Sequence, residues 1–308
     1  AQNKNHYEFT CEWADRKNKT IHDLEDFTVT FLSKRVLLEV LTKYCVFDAD
    51  NTLLIMRPYQ IAATESILRK IHSTNEMKNF GTINACGYIW HTTGSGKTMT
   101  SFKSAQLIAN SGDADKVVFL LDRIELAVQS LDEYRGFAGE TDSIQDTSDT
   151  KVLLAKLKST DKDDRLIVTS IQKMSNVKEG AAISKELIDQ IGKKRLVFII
   201  DECHRSVFGE MLISIKHTFP RALLFGFTGT PVFEENAKHE IMTETLFGDM
   251  LHKYTIANAI PDGNVLGFDP YRVNTYNDDE LRELVAFRQI DLKLKESDPE
   301  AEVDRKSV

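Results

Sequence analysis

The run Tyr88-Ile89-Trp90-His91-Thr92-Thr93-Gly94-Ser95-Gly96-Lys97-Thr98 decides how the rest of the chain is read. An apolar stretch from Gly87 to Trp90 stops abruptly in a Gly/Ser/Thr loop, and a helix-compatible stretch begins at Lys97. That order is a strand feeding a loop at a helix N-terminus. Glycines in such a loop let backbone N–H groups close around an anionic phosphate, and the helix dipole adds favourable potential at the same point. The Lys97 ammonium suits the β- and γ-phosphates of a nucleoside triphosphate, and the Thr98 hydroxyl suits Mg²⁺. Thr93, Gly94, Ser95 and Gly96 form the cradle between them. One position departs from the general pattern G-x-x-x-x-G-K-[ST]: His91 stands where the first glycine is expected.

Outward from the loop, the chain repeats one unit. Apolar runs occur at Ala85–Trp90, Val117–Leu121, Leu166–Ser170, Leu196–Ile200 and Ala222–Phe227. Helix-compatible stretches separate them, among them Lys97–Asn110, closed by Ser111-Gly112, and Ile183–Gly192. Runs without polar alternation belong to strands buried on both faces, so the expectation is an α/β fold with a parallel sheet flanked by helices. Ligands of such sheets sit at the carboxyl ends of the strands. Every candidate for chemistry in this sequence falls there.

The run Leu196–Ile200 leads straight into Asp201-Glu202-Cys203-His204. A buried strand ending in an acid places a carboxylate beside a bound cation, so Asp201 is read as a Mg²⁺ ligand, direct or through water. Glu202, pointing differently, is read as the acceptor of a proton from an attacking water. Phe225-Gly226-Phe227-Thr228-Gly229-Thr230-Pro231 ends the last run, and the hydroxyls of Thr228 and Thr230 could bond His204 or Glu202 and report on the γ-phosphate. Gln60, in Met56-Arg57-Pro58-Tyr59-Gln60, opens a helical stretch to Ile71. Its amide donates and accepts at once, which suits the N6/N7 edge of adenine as well as an ordinary surface role.

The rest of the chain carries less chemistry. With 308 residues, 42% of them hydrophobic, there is material for a large core. The net charge of −8 argues against binding nucleic acid through bulk positive charge, leaving local groups to do it. Cys11, Cys45, Cys86 and Cys203 are widely spaced, which suggests neither disulfide framework nor zinc site and makes the cytoplasm the expected setting. No apolar run approaches the ~20 residues of a membrane span, and no signal peptide is read at the start. The first residue is alanine, so the chain is expected to be a piece of something longer. Asp23 to Val46 has near-helical apolar spacing with Thr20 as a possible cap, and is expected to pack over the following domain. Residues 138–164 read as a solvated loop plus one surface helix. Asn277 to Val308 reads as a charged helix with a loose end.

Taken in order, Gln60, H-T-T-G-S-G-K-T (91–98), D-E-C-H (201–204) and F-T-G-T-P (227–231) resemble superfamily-two helicases and translocases. More narrowly, M-R-P-Y-Q (56–60), G-Y-I-W (87–90), L-D-R-I-E-L (121–126), V-T-S-I-Q-K (168–173), D-E-C-H-R-S (201–206) and F-G-D-M-L-H-K-Y-T-I-A-N-A-I (247–260) resemble the restriction subunit (HsdR) of type I restriction–modification enzymes. The resemblance spans roughly residues 30–275.

It implies a RecA-like P-loop NTPase lobe with a helical N-terminal segment, hydrolysing ATP with Mg²⁺ to pump double-stranded DNA. It implies that Gln60 contacts adenine, that Lys97 and Thr98 serve the phosphates and Mg²⁺, that Asp201 and Glu202 serve metal and water, and that His204, Thr228 and Thr230 couple hydrolysis to movement. Arg123, Gln129, Thr169, Ser170, Gln172 and Lys173 become candidates to grip the DNA backbone, where such side chains position without reading sequence. The implied partners are duplex DNA and the modification and specificity subunits.

The implied layout is a connecting segment over residues 1–56 after an absent nuclease domain, a first motor domain over 57–235, and an exit segment over 236–308 toward an absent second lobe. Ile290-Asp291-Leu292-Lys293 has the local spelling of a nuclease acid-x-Lys but no proline-acid partner, and reads as surface. No second βα series follows, nor the arginine-bearing motif that such a lobe would bring to the transferring phosphoryl. An RNA helicase shares the nucleotide chemistry and differs in its grip. A nucleotide-binding switch differs in not needing Glu202.

Overall fold

Six parallel strands carry the expected sheet: β3 (Gly87–His91), β4 (Lys116–Leu121), β5 (Leu166–Ser170), β6 (Leu196–Ile200), β7 (Leu223–Thr228) and β8 (Met250–Tyr254). Their order across the sheet is β5-β4-β6-β7-β3-β8, in a computed structural model that describes residues 11–47, 52–121, 150–180, 183–201, 203, 206–233, 242–265, 282 and 285–290. Two short antiparallel strands, β1 (Cys45–Phe47) and β2 (Leu53–Ile55), stand apart from it.

The absence of polar alternation has its cause in the packing. Along β6, Phe198 and Ile200 enter one core while Val197 and Ile199 enter the other, so the two faces of the sheet are equally dry. On the first face lie Leu153 and Leu157 of helix Thr150–Lys158, Ile188 and Ile191 of helix Lys185–Gly192, and Leu212 and Ile215 of helix Ser206–Thr218. On the second lie Ala63, Ile67 and Ile71 of helix Pro58–Met77, with Phe102, Ala105 and Ile108 of helix Lys97–Ser111. Each such aliphatic or aromatic side chain contributes about 1.5–3 kcal/mol when fully buried, which makes this double layer the main source of stability.

The five predicted strands all form, with ends displaced by a residue or two at β3, β4 and β7. The sixth, β8, lies within the stretch read as an exit segment. Its sequence, Met-Leu-His-Lys-Tyr, alternates instead of running apolar: Met250 and Lys253 are exposed while His252 and Tyr254 are buried, and it pairs with β3 at the sheet edge. Residues to Leu266 form one unit and those from Gly267 another. Of the second, residues 282 and 285–290 are described and are helical.

The N-terminal segment departs from expectation. Two helices, Leu24–Thr30 and Lys34–Thr42, replace the single one. The first is capped by Asp23, whose carboxylate accepts the N–H groups of Glu25 and Asp26, while Thr20 instead bridges to Ala14. The β-branched run Thr28-Val29-Thr30 weakens the first helix where it ends. Of the two helices only Val40 is buried, and Leu24, Val29, Leu38 and Leu41 face outward. The tie to the lobe is polar: Lys43 donates to Glu65 at 2.7 Å, and Tyr44 also bonds Glu65.

Candidate nucleotide site

Parallel pairing brings the carboxyl ends of the strands to one edge. Trp90 of β3 is level with Thr228 of β7, Leu120 of β4 with Ile200 of β6, and Leu121 with Ser170 of β5. The loop after β3 therefore lies beside the residues that follow β6 and β7.

The loop has the form its composition demands. Gly94 and Gly96 adopt φ of 81° and 74°, values that a side chain makes costly, and Gly96 is the N-cap of helix Lys97–Ser111. The Ser95 hydroxyl donates to the Thr92 carbonyl at 2.6 Å, tightening the turn. From below, the Tyr59 hydroxyl donates to the Ser95 carbonyl at 2.7 Å, and the Gln60 amide donates to the same oxygen at 3.0 Å. The other end of Gln60 accepts the Arg57 N–H at 2.8 Å, closing a capping box at the start of helix Pro58–Met77. Both ends of this 3%-exposed amide are thus occupied within the protein, which braces the loop.

Around the loop gather the other candidates. Lys97 is buried at the first helical turn. A Cβ placed on Gly229 would lie 3.3 Å from Thr93 Oγ1 and 3.4 Å from Lys97 Nζ, so the turn after β7 sits directly against the cradle. That turn is held by Trp90, whose indole N–H donates to the Gly229 carbonyl at 3.1 Å, and by the Thr230 N–H, which donates to Thr228 Oγ1 at 3.0 Å. Thr228 is buried and Thr230 exposed.

Asp201 is buried at the end of β6. The Ser101 hydroxyl lies 3.3 Å from its carboxylate and 3.0 Å from the Thr98 carbonyl, its single proton shared between the two acceptors. One helical turn separates Ser101 from Thr98, so a single serine links the two residues read as Mg²⁺ ligands. A threonine hydroxyl and a carboxylate are the hard-oxygen donors that Mg²⁺ takes, so the donor set fits the ion.

The remaining expectations divide. Glu202, His204, Arg123 and Gln129 lie outside the described residues. Thr169 and Ser170 are buried at the end of β5, and the Ser170 hydroxyl accepts the Lys173 N–H at 3.3 Å as a helix cap. Gln172 and Lys173 are half-buried on the helix it starts.

A cavity of about 410 Å³ opens next to the loop, lined by Arg57, Tyr59, Tyr254, Asp262 and Asn264 together with the N-terminal segment. The Tyr59 and Tyr254 rings stack at 3.7 Å within 8° of parallel. Burial pushes both phenols up from their ordinary range, and Asp262, which accepts from Tyr254 at 2.7 Å, adds to the rise there. His91 bonds His252 of β8, and burial holds both imidazoles below the usual histidine value, His252 at about 4.

Sequence reading missed Ser101, although its place one turn beyond Thr98 could have found it. It also gave no role to His252 and Tyr254, although both lie in the quoted stretch 247–260, or to Asn264 just beyond it.

A family model described as SWI2/SNF2 ATPase matches residues 59–306. The chain belongs to the SWI2/SNF2 ATPase family. This SWI2/SNF2 chain is also 44% identical over 279 residues to the type I restriction enzyme SsaAORF53P endonuclease subunit of Staphylococcus saprophyticus, covering 89% of itself and 28% of that protein. It is 40% identical over 272 residues to the SauMSSORF170P endonuclease subunit of Staphylococcus aureus, again covering 28% of the relative. Over 208 residues it is 42% identical to the C-terminal part of a putative type I restriction enzyme MpnIIP endonuclease subunit from Mycoplasma pneumoniae, covering 67% of itself and 99% of that chain. The resemblance to type I restriction subunits, first read from the motifs, stands. The chain spans under a third of the length of its staphylococcal relatives. Among the described residues no helix is long and apolar enough to cross a membrane.

Proposed function

We propose that this chain is the ATP-hydrolysing first lobe of a double-stranded DNA translocase within a type I restriction endonuclease subunit. The observation that carries the reading is convergence: the glycine loop, Asp201 and the Thr228–Thr230 turn meet at one sheet edge, with Ser101 joining Thr98 to Asp201.

The residues then divide the work. The backbone of Thr93–Gly96 and the Lys97 ammonium hold the β- and γ-phosphates. The Thr98 hydroxyl and the Asp201 carboxylate hold Mg²⁺, with Ser101 keeping the two in register. When bound, Mg²⁺ neutralises charge that develops on the phosphate oxygens. Glu202 takes the proton of the attacking water. Thr228, Thr230 and His204 pass the state of the γ-phosphate onward, which suits a turn that touches Lys97 and Thr93. The base enters the cavity beside Tyr59, where Arg57 offers a planar cation, while Asn264 reaches a base only by giving up its bonds to Arg57 and the Tyr254 hydroxyl. Gln60 reaches adenine only by giving up its bonds to Ser95 and Gly96.

Gln172 and Lys173 are the better placed of the DNA-gripping candidates, because Thr169 and Ser170 are buried. Arg123 and Gln129 share that proposed role. The partners are duplex DNA and the modification and specificity subunits, and the setting is the cytoplasm. A second lobe, bearing the arginine that stabilises the transferring phosphoryl, completes the motor.

The test is ATP hydrolysis by this chain and by a longer chain including the second lobe, each with no nucleic acid, linear duplex DNA, single-stranded DNA or RNA. Lys97→Ala serves as the blank. Duplex-specific stimulation only in the longer chain is expected. Stimulation by RNA alone moves the protein to the RNA helicases, and absence of any Lys97-dependent turnover makes it a nucleotide switch.

A further inference from the structure

Two histidines are joined in the interior beside the phosphate loop. His91 closes β3, His252 lies on β8, and Nε2 of the first is 3.0 Å from Nδ1 of the second. The register pairs His91 with Tyr254 and Ile89 with His252, so both imidazoles stand on one face of the sheet as diagonal neighbours. Tyr59 closes that face, edge-on to His91 with ring centroids 5.4 Å apart and flat against Tyr254. His91 is 0% exposed, and its Nδ1 meets no hydrogen-bond partner among the described residues. The bond to His252 is therefore the polar anchor of a ring that has no water to turn to.

We propose that His91 and His252 are positioning residues for the phosphate loop: a neutral imidazole pair that fixes the loop at its first residue and ties it to the segment Met250–Val265. The proposal rests on the nucleotide reading of the loop given above.

Neighbouring contacts follow the same route. The Thr92 N–H donates to the Tyr254 carbonyl at 2.9 Å, carrying the sheet ladder one step into the loop. Val265 Cγ2 lies 3.4 Å from where a Cβ on Gly94 would stand. Glycine, the usual residue at position 91, has no side chain to be held. Histidine there gives the loop a handle on the edge strand. A bond between two imidazoles needs one N–H and one bare nitrogen, so it forms between neutral rings of matched tautomer and disappears with an apolar replacement. The charged side chain that faces His91 is Lys97, which further disfavours a proton on the ring.

The experiment measures binding of Mg·ADP and Mg·AMP-PNP by calorimetry. It compares the 308-residue chain with its His91→Gly, His252→Leu, His252→Gln, doubly substituted His91→Gly/His252→Leu and Lys97→Ala forms, and ¹⁵N imidazole spectra are recorded alongside. His252→Leu is expected to weaken binding about tenfold, the scale seen when a ligand-orienting outer group is lost, and His252→Gln to stay within about threefold because its amide can donate or accept toward His91 Nε2 whichever tautomer that ring holds. The double form is expected to be no weaker than either single one, since both remove the same bond. The spectra of the parent chain are expected to show two neutral rings of matched tautomer whose signals shift on addition of Mg·ADP. Binding by His252→Leu at parental affinity overturns the proposal, as does equal loss in Leu and Gln forms, or a pair of signals indifferent to nucleotide. Full affinity in Lys97→Ala overturns the nucleotide reading itself, whereas loss in Lys97→Ala with no loss in His252→Leu removes only the pair's role.

Discussion

Replacing His252 by glutamine should change how the fold responds to acid. Burial lowers the His252 pKa from 6.5 to about 4, while the Arg16 backbone facing the ring works weakly the other way. In the unfolded chain the imidazole takes up its proton first as pH falls, so stability is full above pH 6.5 and is lost between there and pH 4. Integrating the two titrations gives a loss of about 2–3 kcal/mol by pH 4.5 from this one group. Carboxylates held below their ordinary values, such as Asp115 beside Arg195 and Glu65 beside Lys43 and Tyr44, also lose their stabilisation in acid. The comparison that isolates His252 is therefore a difference between the two proteins. Urea unfolding followed by circular dichroism at pH 7.5 and pH 4.5 supplies it. Glutamine does not titrate, so its stability relative to the parent should improve by about 2–3 kcal/mol over that interval. Parallel pH profiles for the two proteins would show that His252 is not held neutral, and the reasoning from its burial would be refuted.

Four further outcomes are expected. Lys194→Met removes an ammonium that caps the carbonyls of Leu157, Lys158 and Ser159 at 2.7–2.8 Å, and should cost about 2 kcal/mol, read as a fall of roughly 5 °C in melting temperature. Gly226→Ala places a Cβ 2.7 Å from Cys203 Sγ and 3.0 Å from the Phe247 ring inside the first core, and should destabilise by about 2–3 kcal/mol in urea unfolding. Ser101→Ala should leave the melting temperature nearly unchanged while raising the Mg²⁺ concentration that half-saturates nucleotide binding by about tenfold, because Thr98 and Asp201 lose their common tether. Glu202→Gln in the two-lobe protein should keep ATP affinity and lower turnover by about a hundredfold or more, the usual worth of a positioned base; undiminished turnover would remove the base assignment.

The sheet was legible in the sequence because both of its faces are dry. Val197 to Ile200 could only be a strand buried on both sides, and the same holds for β3, β4, β5 and β7. The edge strand β8 was not, because Met250 and Lys253 are exposed and give it a mixed pattern, unlike β5 at the opposite edge. The N-terminal helices show the opposite failure. Phe27, Phe31, Val36, Leu37 and Val40 follow helical spacing, yet only Val40 is buried, since periodicity reports that a helix has an apolar side without saying what covers it. At the site, the glycine loop and Asp201 could be read because phosphate and cation chemistry restrict the residues that serve them. Ser101, His252 and Tyr254 bond the residues around them, a task many residue types perform, and so no role could be read for them.

The same distinction explains why the loop is braced so heavily. A cradle that binds phosphate with backbone N–H groups must keep those groups pointing at one place, and glycines at φ of 81° and 74° cannot do so alone. Rigidity has to come from outside the loop. It comes from helix Pro58–Met77 through Tyr59 and Gln60, from the turn after β7 through Gly229 and Trp90, and from β8 through His252 and the Tyr254 carbonyl. The third of these is the one placed to transmit, because the strand that steadies His91 leads directly through Asn264 and Val265 to the end of the first unit. On the nucleotide reading proposed above, a shift of the loop when phosphate binds or leaves is felt in that segment as well as in the two other braces.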